Sequence, residues 1–208
     1  MRQYEFINLP FIMKYTLPVL LKEIKSCKTC EEYLDNGVNP VVTAATESRI
    51  IIIGQAPGSK VHASSIPWSD ASGKRLREWM GVDEEVFYDT KKNAVIPMGF
   101  CYPGKGKSGD LPPRKECAPQ WHPPLMELLP NVQLILLVGS YAQKYYLGKT
   151  MKKNLTETVG AFEEYLPKYF PIPHPSPLNG RWLKRNYWFE EQVVPQLKAT
   201  IKKILHEI

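Results

Sequence analysis

The sequence predicts an α/β protein, a three-layer α/β/α sandwich around a central, mainly parallel sheet of four strands. Three observations lead there. Four short apolar runs have the length and content of buried strands. Segments of helical length separate them, as a parallel sheet requires. Each run then gives way to a turn rich in glycine or proline, and in such sheets ligands bind at those carboxyl ends.

The elements follow in order. Residues 17–34 read as an amphipathic helix that ends at Asp35-Asn36-Gly37. Residues 49–53 are a β-branched run that stops at Gly54, hence a buried strand. Residues 71–80 read as a helix capped by Asp70 or Ser69. Residues 94–98 are a second short strand, followed by a loop of about fifteen residues. A helix over residues 114–129 should be interrupted at Pro119 and Pro123-Pro124. Residues 132–138, VQLILLV, are the clearest strand, and Gly139-Ser140 opens a helix to about Leu147. Residues 169–172 form the last strand before His174, and residues 182–204 a long closing helix kinked at Pro195.

A length of 208 residues suits one domain, residues 1–208, and 43% hydrophobic with 23% charged content is that of a globular chain. No apolar stretch approaches the ~18 residues of a membrane span. The start of the chain lacks the charged, apolar and small-residue series of a secretory leader. Disorder, membrane insertion and a disulfide mini-scaffold are excluded, and a cytoplasmic monomer is expected.

The net charge of +6 is unevenly placed. Residues 1–100 hold twelve basic and twelve acidic side chains; residues 101–208 hold fifteen and nine. The excess concentrates at Lys105–Lys107, Arg114-Lys115 and Arg181, Lys184 and Arg185, in or beside Gly-, Pro- and Asn-rich loops. That pattern fits either phosphate-backbone contacts or a solvated basic face.

Cys27 and Cys30 form a C-x2-C, and Cys101 and Cys117 enclose fifteen residues. In a reducing compartment such a set means a metal or redox site rather than a structural disulfide. On spacing alone, an iron–sulfur centre, zinc and plain thiols all remain.

Two strand-end loops carry chemistry. Gly54-Gln55-Ala56-Pro57-Gly58 can turn its backbone N–H groups toward a ligand, and equally reads as an ordinary strand-end turn. It is neither a Walker A loop nor a dinucleotide fingerprint. His174-Pro175-Ser176-Pro177-Leu178-Asn179 holds a histidine between fixed backbone segments, and prolines leave a loop little entropy to lose on binding.

GQAPG after a strand and HPSPLN near the C-terminus resemble the two signature motifs of the uracil-DNA glycosylase superfamily. The cysteine order is similar to that of its iron–sulfur bacterial and archaeal branch. Residues 66–73, IPWSDASG, resemble that branch's PFVGxAG segment, and VQLILLVGSYAQKYYLG its strand–glycine–helix unit. The likeness runs from about Cys27 to Ile204.

The resemblance implies hydrolytic removal of a flipped base from damaged DNA. His174 would donate a hydrogen bond to the oxyanion developing on the base. Gly54, Ala56, Pro57, Gly58 and Met98 would surround the base. Trp68 would stack on it, or else serve as a core aromatic. Ser176, Leu178 and Asn179 would press into the DNA, with Arg181, Lys184 and Arg185 on phosphates. Cys27, Cys30, Cys101 and Cys117 would hold a [4Fe–4S] cluster in a structural role, with zinc or no metal as alternatives.

Two departures bear on the chemistry. The branch has an acid where this chain has Gln55, so water activation would need another carboxylate; Asp70 is the candidate, its other reading being a helix cap. The branch's uracil-reading asparagine corresponds to Pro97. That task would fall to Met98-Gly99 backbone groups or to Asn93.

Overall fold

The computed structural model describes residues 16–107 and 109–206. Four strands, β1 (Ile50–Ile53), β2 (Asn93–Val95), β5 (Leu134–Val138) and β6 (Tyr169–Ile172), make one sheet in the order β2-β1-β5-β6. Every neighbouring pair is parallel. The other two, β3 (Lys105–Gly106) and β4 (Gly109–Asp110), pair antiparallel as a separate hairpin.

Helices α1 (Leu17–Lys25), α5 (Cys117–Glu127) and α6 (Ser140–Leu147) cover one face, and α3 (Ala71–Met80) and α9 (Val194–His206) the other. The short helices α2 (Ser59–Ser64), α4 (Glu84–Tyr88), α7 (Leu155–Gly160) and α8 (Gly180–Arg185) complete the path. β1 is four isoleucines, which the period-two geometry of a strand sends to alternate faces. Ile50 and Ile52 pack with Leu76, Trp79 and Leu197, while Ile51 and Ile53 pack with Leu20, Ile24 and Leu125. Burial on both faces is why the strand reads as an unbroken apolar run, each isoleucine contributing about 1.5–3 kcal/mol.

The first and last helices are shorter than the sequence predicts. α1 ends at Lys25 because Ser26 and Cys27 bond back to carbonyls three residues earlier; the C-x2-C then lies in a turn before a single 3-10 turn at Glu31–Tyr33. The closing helix breaks at Asn186, whose side chain bonds the Trp182 carbonyl, and resumes through a wide turn at Phe189–Val193. Pro195 follows that wide turn directly inside a continuous helical run, so the helix is distorted around it, as the sequence expects of a proline without an N–H to donate. α5, conversely, runs through Pro123 and Pro124 without interruption.

Candidate functional site

Parallel pairing brings the carboxyl ends of β1, β2, β5 and β6 to one edge. There the loops after β1 and β6 and the segment before α3 surround a cavity of about 560 Å³. Gly54, Gln55, Ala56, Pro57 and Gly58 form one wall, Pro67, Trp68 and Asp70 a second, and His174 with residues 176–179 a third. Backbone bonds fix the first wall: Met98 N–H donates to Gly54 O and Gly99 N–H to Gln55 O, each at 2.9 Å. Gly139, at φ +84°, lies directly under His174, where an added Cβ would sit 3.4 Å from the histidine Cβ.

His174 follows β6 by two residues, and its loop is braced from inside. The Ser176 N–H donates to His174 Nδ1 at 3.2 Å, and Asn179 Nδ2 donates to the His174 carbonyl at 2.8 Å. Arg75 on α3 donates to the carbonyls of Pro175 and Ser176 at 3.3 and 3.4 Å. Burial pushes the imidazole below its ordinary value, and the Asp70 charge pulls it partly back. The ring is therefore neutral near pH 7, and because Nδ1 accepts, its proton sits on Nε2.

Trp68 adopts φ +57°, a left-handed conformation that costs a bulky residue about 1–3 kcal/mol. Two contacts hold it there. Arg77 donates to the Trp68 carbonyl at 3.3 Å, and that carbonyl passes so close to Gly73 that any Cβ there would collide with it. The indole lies across Gly54, with an added Gly54 Cβ only 2.8 Å from Cζ2, and its centroid is 5.5 Å from the His174 ring at 33°. Asp70 Oδ1 accepts from Gly73 N–H at 2.9 Å, so Asp70 is the cap of α3 while also lining the cavity. Ser69 bonds Ser64 instead.

The remaining sequence candidates divide. Gln55 turns its amide to Leu111, donating to the carbonyl at 3.1 Å. Met98 does not line the cavity; its side chain packs in the core against α1 and α5. Asn93 lies at the far end of β2, donating to Val86 O at 2.8 Å, and so does not stand in for a base-reading amide. The Met98 and Gly99 N–H groups are spent on Gly54 and Gln55. Ser176 Oγ accepts from Leu178 N–H, which, with the Asn179 bond, makes both polar side chains braces of their own loop. Leu178 is 77% exposed at the cavity mouth. Arg181, Lys184 and Arg185 project from α8 just beyond it.

Sequence reasoning missed Arg75, Arg77, Asp110 and Gln143. Gln143 is fully buried and donates to the carbonyls of Leu137 and Ile172, tying the ends of β5 and β6 together. Arg75 and Arg77 alternate with Leu76 on a helix and carry no motif. Asp110 sits in the cysteine arm yet lines the cavity, a placement that depends on how the hairpin folds back.

All four cysteines are unpaired, and together they line a second, small cavity with Leu34, Val38, Phe100 and Trp121. Among the described residues no three His, Cys, Asp or Glu side chains are gathered into a group able to hold a metal ion. Donors nonetheless face the sulfurs: Phe100 N–H to Cys117 at 3.3 Å, the Asn39 backbone to Cys101 and the Arg114 guanidinium to Cys30. Arg114 also stacks on Tyr33 at 4.1 Å and pairs with Glu116 at 2.8 Å. Burial pushes the Cys101 thiol up to about 11 and Cys117 up to about 12, so a thiolate set here needs a cation beside it.

His122 on α5 touches a residue of each cavity, Pro97 of the first and Phe100 of the second. Only 2% exposed, it contacts the Pro97 carbonyl through Nε2 at 3.0 Å and the Tyr146 hydroxyl through Nδ1 at 2.6 Å. Burial lowers its pKa from 6.5 to about 4. The unfolded chain then takes up this proton first as the pH falls. Stability is full above about pH 6.5 and falls toward pH 4, by about 3 kcal/mol for this group. Urea midpoints measured at pH 7.5 and 4.5 should differ accordingly in the parent and converge in His122→Gln, apart from the share due to His174.

The family model of the uracil DNA glycosylase superfamily matches residues 40–198. A solution NMR structure from Methanosarcina acetivorans, provisionally assigned as a uracil DNA glycosylase, is 15% identical; 79% of this chain and 96% of that one are covered, at a TM-score of 0.45. No described helix is long and apolar enough to cross a membrane. The matched span contains the whole sheet, the strand-end cavity and the His174 loop, and leaves Cys27 and Cys30 ahead of it. By that match, the chain belongs to the uracil DNA glycosylase superfamily.

Proposed function

We propose that this protein is a DNA glycosylase that hydrolyses the N-glycosidic bond of uracil or a related damaged base in DNA. One observation carries the reading: a neutral His174, braced in a proline-locked loop with its proton on Nε2, beside Trp68 in a nucleoside-sized cavity. A neutral donor is what a developing base oxyanion requires, since it stabilises charge without first needing to reorganise. The indole offers the flipped base a stacking surface. Leu178 fills the space the nucleotide leaves, and Arg181, Lys184 and Arg185 take the adjacent phosphates. Pro97 has no side-chain amide, so the base is read by shape and by the cavity walls more than by a bidentate contact.

The cysteines belong to the same proposal. Four sulfurs around one apolar cavity, with N–H and guanidinium donors aimed at three of them, fit a [4Fe–4S] cluster. The cluster would supply a structural pin, joining the segment after α1 to the arm between Cys101 and Cys117.

A second reading, a nucleic-acid binder of the same fold without the chemistry, is favoured by Gln55 and Pro97. One experiment separates the two. Purified protein is incubated with duplex and single-stranded oligonucleotides containing uracil, hypoxanthine or xanthine, and abasic sites are cleaved with alkali. Strand cleavage at the modified base is expected. Tight binding with no cleavage on any of the three bases would leave the binder.

A further inference from the structure

We propose that Asp110, carried into the cavity by the β3–β4 hairpin, is the carboxylate that activates the attacking water. The inference rests on the glycosylase reading above and completes it, since Gln55 has no acid to offer. Asp110 lines the same cavity as His174 and the 54–58 turn. A Cβ on Gly58 would lie 3.4 Å from Asp110 Oδ2, so the carboxylate faces the turn directly. The hairpin is locked in this position. Leu111 N–H donates to Gly104 O at 2.9 Å, and Gln55 Nε2 donates to Leu111 O at 3.1 Å. The buried Tyr102 hydroxyl donates to the Asp110 carboxylate.

This arrangement also explains Gln55. An acid at that position would lose the donor to Leu111 and would repel Asp110 across the cavity. The amide instead docks the hairpin that brings the acid in. Asp70 is the weaker choice for the same task. Its Oδ1 is spent on the Gly73 N–H as the cap of α3, so that carboxylate is committed to holding the helix start.

The step balances as a hydrolysis. The C1′–N bond breaks and its electron pair leaves with the base, whose oxyanion accepts a hydrogen bond from the His174 Nε2–H, the proton staying on the ring. A water oxygen bonds C1′ as its proton passes to Asp110. That proton then returns to the departing base anion, giving an abasic sugar and a neutral free base. The oxocarbenium-like carbon needs little nucleophilic push, so a carboxylate lining the cavity is adequate as the proton acceptor.

The test uses the full chain with uracil-, hypoxanthine- and xanthine-containing DNA under single-turnover conditions. Asp110→Asn should lower the excision rate roughly 10²–10⁴-fold, with DNA affinity and thermal midpoint unchanged. In Asp110→Ala, added formate should restore part of the lost rate, which a purely structural role would not allow. Asp70→Asn should chiefly lower the thermal midpoint. If the parent removes no base, both the glycosylase reading and the Asp110 assignment fall. If the parent is active and Asp110→Asn stays within threefold of it, or Asp110→Ala shows no formate rescue, the assignment to Asp110 falls alone.

Discussion

His174→Ala is expected to lower the single-turnover rate of base removal about 10²–10³-fold while leaving DNA affinity nearly unchanged. The expectation comes from where the ring sits and what holds it. Ser176 N–H occupies Nδ1 and burial keeps the ring neutral, so what alanine removes is the Nε2–H donor. The backbone of the loop is braced separately by Asn179 at the His174 carbonyl and by Arg75 at the next two. The exposed Leu178 and the cations of α8 should therefore stay in place, and with them the DNA binding proposed for this face. His174→Gln, whose amide can donate from a similar position, should recover part of the rate. Binding that collapses together with the rate would instead mean that the ring supports the loop. An unaltered rate would remove His174 from the chemistry.

How much of this was legible in the sequence depends on distance along the chain. β1 and β5 were plain because four consecutive isoleucines and LILLV are buried on both faces, which leaves an unbroken apolar run. β6 and the start of α3 were equally plain, since their ends are marked by a histidine loop and by a capping aspartate within four residues. α1 was overextended because periodicity continued through the C-x2-C, although the chain turns there to aim two thiols inward. The prolines of α5 misled in the other direction. The least legible feature was the cysteine arm. Its hairpin is two residues per strand, too short for any periodic signal. Nothing local in GKGKSGDLPP states that it folds back on Gln55, fifty-six residues away. The sequence therefore located the missing acid's vacancy and pointed to Asp70, whereas the fold places a second carboxylate opposite.

Cys117→Ser should have a large structural effect. Cys117 opens α5, and its sulfur accepts the Phe100 N–H, so it ties the arm to the strand end that precedes it. Three consequences are expected. Anaerobically purified parent should be brown and contain iron and sulfide, and the variant should be colourless with little of either. Loss of a structural metal centre removes several kcal/mol, and at about 2–4 °C per kcal/mol for a domain of this size the thermal midpoint should fall by about 10 °C. Excision should fall too, although His174 and Trp68 are untouched, because the freed arm no longer holds Asp110 over the Gly58 turn. That third effect separates a pin from a bystander. If the cluster is lost and the excision rate at low temperature is unchanged, the arm keeps its place through the Gln55–Leu111 bond and its own hairpin. A colourless parent with stoichiometric zinc would overturn the cluster. Even then the mechanical argument predicts the same order of effects, since zinc held by the same thiolates would pin the same arm.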